Sequence, residues 1–131
     1  MFRLSAEVRY GLRAMAYLAH QKRTCPLNEI AEKEKIPAAF LEKILSSLRR
    51  ADLIVSKKGA AGGYLLKAPP DEITIRQIME ALGEPLSLVD CLDKEGNQCL
   101  LLNRCSARSV WGKMQKKLLD FLNSTKLSDL K

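Results

Sequence analysis

Apolar positions in the first half of the chain recur at spacings of three and four, the period of a helix with one face turned to a core. Val8, Leu12, Met15, Ala16 and Ala19 form such a stripe, with Ser5 placed to cap it and Glu7 in its first turn. This predicts a first helix ending around His20 to Arg23, before the break at Cys25-Pro26. Asn28 is then predicted to cap a short helix, Glu29 to Glu34, with Leu27, Ile30 and Ala31 turned inward. Pro37 suits the first turn of a third helix that runs to about Ala51. On that helix Phe40, Leu41, Ile44, Leu45 and Leu48 share one side, so Ala39, Glu42, Lys43, Ser46 and Arg50 are predicted to face away from the core.

The period then shortens. Leu53-Ile-Val-Ser-Lys-Lys58 is followed by Gly59-Ala-Ala-Gly-Gly63 and Tyr64-Leu-Leu-Lys67, the pattern of strand, glycine turn and strand, with Lys57 and Lys58 as a basic shoulder. Thr74 and Gln77 stand at capping-box spacing ahead of a fourth helix that reaches Leu82 and is stopped by Gly83. From Asn103, read as a cap, Ala107, Val110, Trp111, Met114, Leu118, Phe121 and Leu122 form a long stripe, with Lys113, Lys116, Lys117 and Asp120 mostly off it. A stripe that long on a small chain predicts pairing with the first helix or with the same helix of a second copy, a two-fold homodimer.

Three helices and a hairpin in this order predict a winged helix-turn-helix. In such a domain the polar face of the third helix enters a DNA major groove and the hairpin lies alongside. The fold class is therefore mainly α with a small β-hairpin wing, an α+β arrangement with a long C-terminal dimerisation helix. The expected division is a DNA-binding domain over 1–82, a cysteine-containing loop over 83–102, and the dimerisation helix and tail over 103–131.

Composition narrows the function classes. At 131 residues, 47% hydrophobic and 28% charged, the chain has room for one core and not for a large multidomain enzyme. Its longest unbroken apolar stretch, Ala14 to Ala19, is far short of the roughly 20 residues of a membrane span. No membrane association is expected, and with no secretory signal read, a cytoplasmic location is. Twenty-two Lys and Arg against fifteen Asp and Glu give +7, unevenly placed: +6 over residues 1–58, −4 over 59–102 and +5 over 103–131. The basic ends favour a polyanionic partner.

In that frame Glu42 can accept from a cytosine amino group, and Lys43 or Arg50 can reach guanine or phosphate. Ala39 and Ser46 share their face, and Lys57, Lys58 and Gly59 lie where the wing meets phosphate or the minor groove. The other reading of the same charges is a solvated helix face. Gly59, Gly62 and Gly63 lack the Gly-Lys-Ser/Thr ending of a phosphate loop and are read as turn residues. Two reading helices in a two-fold dimer would stand about one DNA turn apart, roughly 34 Å, and so call for double-stranded DNA with a palindromic operator.

The acidic middle holds the chemistry. Cys91, Cys99 and Cys105 fall within fifteen positions, and in a reducing compartment such a group points to a metal or redox site rather than a disulfide framework. Soft thiolates select iron–sulfur clusters, zinc or copper(I), and the paired Cys-x-x-Cys of zinc ribbons is missing. Cys105 is expected in the first turn of the long helix, its thiolate stabilised by the helix's positive end. Cys25 is read as a small buried hydrophobe. No substrate-pocket motif, nucleotide loop or Ser/His/Asp set accompanies the thiols, which argues against an enzyme and against an electron carrier.

Arg3-Leu4-Ser5, Arg9-Tyr10, Phe40-Leu-Glu-Lys-Ile, Leu48-Arg49, Lys58-Gly-Ala-Ala-Gly-Gly-Tyr-Leu-Leu66 and the three cysteines together resemble the Rrf-type family of bacterial regulators, which includes IscR, NsrR, RirA and CymR. The resemblance spans essentially the whole chain. It implies a dimeric winged-helix transcription factor, expected to repress. In cluster-bearing members it implies an iron–sulfur cluster, here on Cys91, Cys99 and Cys105. By motif, Glu42 and Lys43 fall where IscR-like proteins read bases, and Lys58 replaces an arginine that enters the minor groove. IscR-like proteins carry a ligating histidine where this chain has Arg108, and NsrR-like proteins an aspartate where it has Arg9. The fourth ligand is thus left among Ser5 or Glu7 of a partner, Asp90, Asp93, Ser106, Ser109, or an exogenous thiol or water. His20, the only histidine, is read as a surface or capping residue. The longer first spacing is similar to RirA-like iron sensors and favours [4Fe-4S] over [2Fe-2S]. A cluster-free regulator answering through its thiols or a bound protein partner, as CymR-like members do, is the alternative.

Overall fold

The computed structural model describes residues 3–92, 101 and 104–131. Helix α1, Ala6–Gln21, starts where Ser5 accepts from the Val8 N–H at 3.2 Å, and it buries Val8, Gly11, Ala14, Met15, Leu18 and Ala19. Helix α2, Leu27–Glu34, begins without the expected Asn28 cap. Pro26 already holds an extended conformation, and its carbonyl accepts from the Glu29 and Ile30 N–H groups, so the helix opens two residues earlier and Asn28 lies exposed inside its first turn. A left-handed Lys35 ends α2, Ile36 drops into the core, and α3, Ala38–Arg50, follows with Pro37 just ahead of its first turn.

Helix α3 buries Leu41, Ile44, Leu45 and Leu48, a row at i, i+3, i+4 and i+7. Phe40, expected among them, is only half-buried and meets Tyr10 of α1 edge-on, ring centroids 5.4 Å apart. Strands β1, Ile54–Lys57, and β2, Gly63–Leu66, form an antiparallel wing in register Ile54↔Leu66 to Lys57↔Gly63. The wing does not hang free. Cys25 N–H donates to the Tyr64 carbonyl and Tyr64 N–H to the Cys25 carbonyl, both at 2.8 Å, so the connection between α1 and α2 acts as a third strand. That contact makes Gly63 obligatory: a Cβ there would stand 2.3 Å from the Cys25 carbonyl oxygen.

Helix α4, Ile75–Ala81, opens on the expected capping box of Thr74 and Gln77, and Gly83 follows at φ 76°. Helix α5, Arg108–Ser124, begins five residues after Asn103, which lies outside the described residues. Its N-terminal flank is Ala107, with no side-chain cap. At the other end the tail turns back onto the segment that leads into α4. Ile75 N–H donates to the Thr125 carbonyl (3.0 Å), Leu127 N–H donates to the Ile73 carbonyl (2.8 Å), and Leu127 enters the core with 1% of its surface exposed. Among the described residues, no helix is long and apolar enough to cross a membrane.

Candidate nucleic-acid interface and thiol site

With its apolar row committed to the core, α3 presents Ala39, Glu42, Lys43 and Arg50 to solvent as expected, while Ser46 is half-buried. Lys57, Lys58 and Gly59 are exposed at the outer end of β1. Among the described residues Glu42, Lys43, Lys57 and Lys58 enter none of the ion pairs, so their charges are open to a partner. Lys43 stands at the edge of a cleft of about 180 Å³ that it shares with Glu7, Phe40 and Ser47. Arg50 donates to Ser47 Oγ at 3.2 Å, which steadies its guanidinium beside the helix end.

The wing is fixed to α3 by residues the sequence reading did not single out for this role. Arg49 Nη1 donates to Ser56 Oγ of β1 at 3.4 Å, and Asp52, left-handed at φ 62°, pairs with Lys67 across the wing base at 3.3 Å. The Leu53 carbonyl accepts from the Lys67 N–H at 3.1 Å. Adjacent arginines at a helix end look alike in sequence; only the path of β1 separates Arg49 from Arg50.

Behind the helix-turn-helix, Arg23 clamps Glu29 with two donors at 3.0 and 2.7 Å while the Tyr17 hydroxyl donates to the same carboxylate. The Arg23 guanidinium, then the Tyr17 hydroxyl, hold the Glu29 carboxyl down to about 2. The hydrogen bond to Glu29 and partial burial push Tyr17 up to about 12. Cys25, beside this cluster, is fully buried, and its thiol is pushed up mainly by burial, as a small core residue should be. His20 faces the tail, its Nε2 3.2 Å from the Leu130 carbonyl.

Cys91 sits in a short 3-10 turn, Asp90–Leu92, and Cys105 in the turn that leads into α5; both are free and half-buried. Cys105 is therefore not in the first helical turn as expected. Its carbonyl accepts from the Arg108 N–H at 3.3 Å, and the helix starts there. Cys99 and Asp93 lie outside the described residues. Among the described residues, no three His, Cys, Asp or Glu side chains stand together as a metal site. Arg108, three residues after Cys105 in the sequence, has an Nε that is buried without a hydrogen-bond partner.

On α5 the sequence stripe divides. Leu122 is buried and Trp111 half-buried, whereas Val110, Met114, Leu118 and Phe121 are exposed, Phe121 at 61%. Leu4 continues this apolar row across from α5, and a groove of about 560 Å³ runs between them, lined also by Met79, Pro85 and Leu86. Gln115 Oε1 accepts from the Leu88 N–H at 2.9 Å, tying the 84–88 segment to α5.

Known proteins share this arrangement. The model of the Rrf2 family, described as iron-dependent transcriptional regulators, matches residues 4–131. The HTH-type transcriptional regulator IscR of Aliivibrio salmonicida is 33% identical over 130 residues, covering 98% of this chain and 76% of its own length. The protein of the same name from Sodalis glossinidius is 35% identical, with 98% and 78% covered. Among solved structures, CymR, the global cysteine regulator of Bacillus subtilis, superposes with a TM-score of 0.83 at 34% identity, over 99% of this chain and 96% of that one. The T. potens IscR structure gives 0.78 at 29% identity, over 98% and 85%. The chain belongs to the Rrf2 family of transcriptional regulators.

Proposed function

We propose that this chain is a cytoplasmic, non-enzymatic repressor that binds a palindromic operator as a homodimer and senses its signal through an iron–sulfur cluster. The observation that carries the DNA-binding part is the pairing of an exposed, unneutralised α3 face with a basic wing shoulder, joined by the Arg49–Ser56 contact. In this reading Glu42 and Lys43 meet base edges, Ala39 and Ser46 fit against the groove, and Arg50, Lys57, Lys58 and Gly59 meet phosphates or the minor groove. The exposed α5 row with Leu4 is covered by the second copy, because an apolar strip of this kind on a soluble chain calls for a partner. Residues 1–82 then read DNA, 83–102 sense and 103–131 assemble.

Cys91, Cys99 and Cys105 would hold the cluster, of [4Fe-4S] type in preference to [2Fe-2S]. The family's description as iron-dependent and the two free, half-buried thiols support this. A bound cluster supplies an inorganic centre whose integrity follows iron supply, oxygen or nitric oxide. The protein's part is mechanical. Drawing the thiols together would hold Cys105 and the start of α5 in one position and so bias the spacing of the two reading heads.

The test is anaerobic purification followed by iron and sulfide assay, a visible spectrum, and operator binding by loaded and cluster-free protein. Stoichiometric sulfide with a change in operator affinity is expected. Equal affinity and equal sequence preference in both states refute the switch. The likeness to CymR favours a second reading, a cluster-free regulator that responds through thiols or a bound protein. Colourless protein without iron or sulfide, still binding its operator, is the outcome that reading requires.

A further inference from the structure

The start of α1, one flank of α3 and the end of α4 line a cleft of about 180 Å³. Its floor is apolar: Phe40 and Leu82 are half-buried and Ile44 is buried. Gly11 of α1 lets Leu82 lie this close, since a Cβ there would stand 2.4 Å from Leu82 Cδ1. The walls carry opposite charges. Glu7, in the first turn of α1, and Lys43 of α3 both line the cleft and are exposed, and neither side chain enters an ion pair among the described residues. Facing charges elsewhere in this part of the chain close on each other: Arg13 lies 3.4 Å from Glu34, and Arg23 2.7 Å from Glu29. Ser47 adds a hydroxyl to the same lining; its Oγ accepts from Arg50 at 3.2 Å, which leaves its own proton to donate.

An open carboxylate, an open ammonium and a hydroxyl donor over an apolar floor are complementary to a molecule that bears both charges and a short apolar chain. The volume is that of about six liquid waters at about 30 Å³ each, too small for a nucleotide or a peptide. We propose that this cleft is a binding site for a small aliphatic α-amino acid. The ligand's carboxylate pairs with Lys43 Nζ and accepts from Ser47, its ammonium donates to the Glu7 carboxylate, and its side chain rests on Phe40 and Leu82. Lys43 cannot serve a bound amino acid and a base edge at once, so ligand and operator compete for it, each lowering affinity for the other by the same factor. That competition, unlike the site itself, rests on the reading of Lys43 as a base contact given above.

Calorimetry on the full-length protein tests the site, with L-valine as the probe and two controls: isovalerate, which lacks the ammonium, and isobutylamine, which lacks the carboxylate. L-Valine is expected to bind with a Kd on the order of millimolar or tighter, and each control about fivefold more weakly or worse, the loss of one charge-assisted contact. Glu7→Gln should weaken L-valine by a similar factor without weakening isovalerate, which never used the Glu7 carboxylate; a merely structural Glu7 would weaken both. No L-valine binding up to about 10 mM, or binding equal to that of both controls, overturns the proposal. Operator titrations test the competition: saturating L-valine should weaken operator binding about fivefold or more, the share of one base contact. L-Valine that binds and leaves operator affinity unchanged overturns the competition while the site stands. Operator affinity indifferent to Lys43→Gln without amino acid present overturns the base-reading role of Lys43, and the calorimetry still decides the site.

Discussion

Replacing Gly63 by alanine tests whether the wing is held by the backbone of the α1–α2 connection. Gly63 opens β2 at φ 147°, and an added Cβ would lie 2.3 Å from the Cys25 carbonyl oxygen, 2.4 Å from its carbon and 2.6 Å from Pro26 N. All three are main-chain atoms, so no rotamer change relieves the overlap. The strand must part from residues 25–26, and the two 2.8 Å hydrogen bonds between Cys25 and Tyr64 go with it. Those bonds contribute about 1 kcal/mol each. Forcing a side chain into this backbone region costs about 1–3 kcal/mol more. The expected loss is therefore about 3–5 kcal/mol, a large share of the roughly 5–15 kcal/mol that holds a domain together. Urea unfolding reads it as a lower midpoint. Gly59→Ala is the control: Gly59 is also left-handed, at φ 107°, but its Cβ would meet open space, so only the backbone term applies. A Gly63→Ala loss below about 1 kcal/mol, or one no larger than that of Gly59→Ala, refutes the idea that this bridge anchors the wing.

Three further outcomes follow from the same geometry. Glu29 binds its proton more weakly in the fold, at about 2 against an ordinary 4.5, so its contribution is complete above pH 4.5 and is lost as pH falls through 2. Unfolding measured across that window should show a smaller slope for Glu29→Gln, and identical slopes would mean the Arg23–Glu29–Tyr17 cluster is not intact in solution. Leu127→Ala should cost about 2–5 kcal/mol by thermal or urea unfolding, as for a fully buried leucine, and a loss under about 1 kcal/mol would show the tail undocked. Lys58→Ala should weaken operator binding and reduce the salt dependence by up to about 0.9 log units per log unit of salt, one phosphate contact. An unchanged slope would mean that Lys58 does not meet the backbone.

Much of the fold was readable because its signals are local. The α3 row at three- and four-residue spacing, the Thr74–Gln77 box and the glycines of the wing turn each depend on residues within one or two turns of each other. The misreadings came where a local signal had a competitor. Asn28 is a good cap, but Pro26 supplies the extended entry and the first acceptor two residues earlier. Cys105 is expected within the first turn of the long helix, but that helix begins only at Arg108, whose N–H donates to the Cys105 carbonyl. Where the structure describes the site, the same division holds. The outward face of α3 followed from its period, whereas the Arg49–Ser56 link exists only once β1 has turned back along the end of α3.

The tail is the clearest case, and it bears on how a signal at the thiols would travel. Leu127-Ser-Asp-Leu130 is too short to show a period, and its partner segment, Ile73 to Ile75, lies some fifty residues earlier, so nothing nearby announces the pairing. Its effect is to fasten the C-terminal end of α5 to the backbone just ahead of α4, while the other end meets the turn that holds Cys105. A helix of 17 residues is a stiff rod of roughly 25 Å. With one end fastened to the core beside α4 and its middle tied to Leu88 through Gln115, α5 is not a loose tail. In the proposed dimer, a displacement at the Cys105 end would be passed along this rod to the exposed row of Val110, Met114, Leu118 and Phe121, the face on which the second copy is proposed to sit.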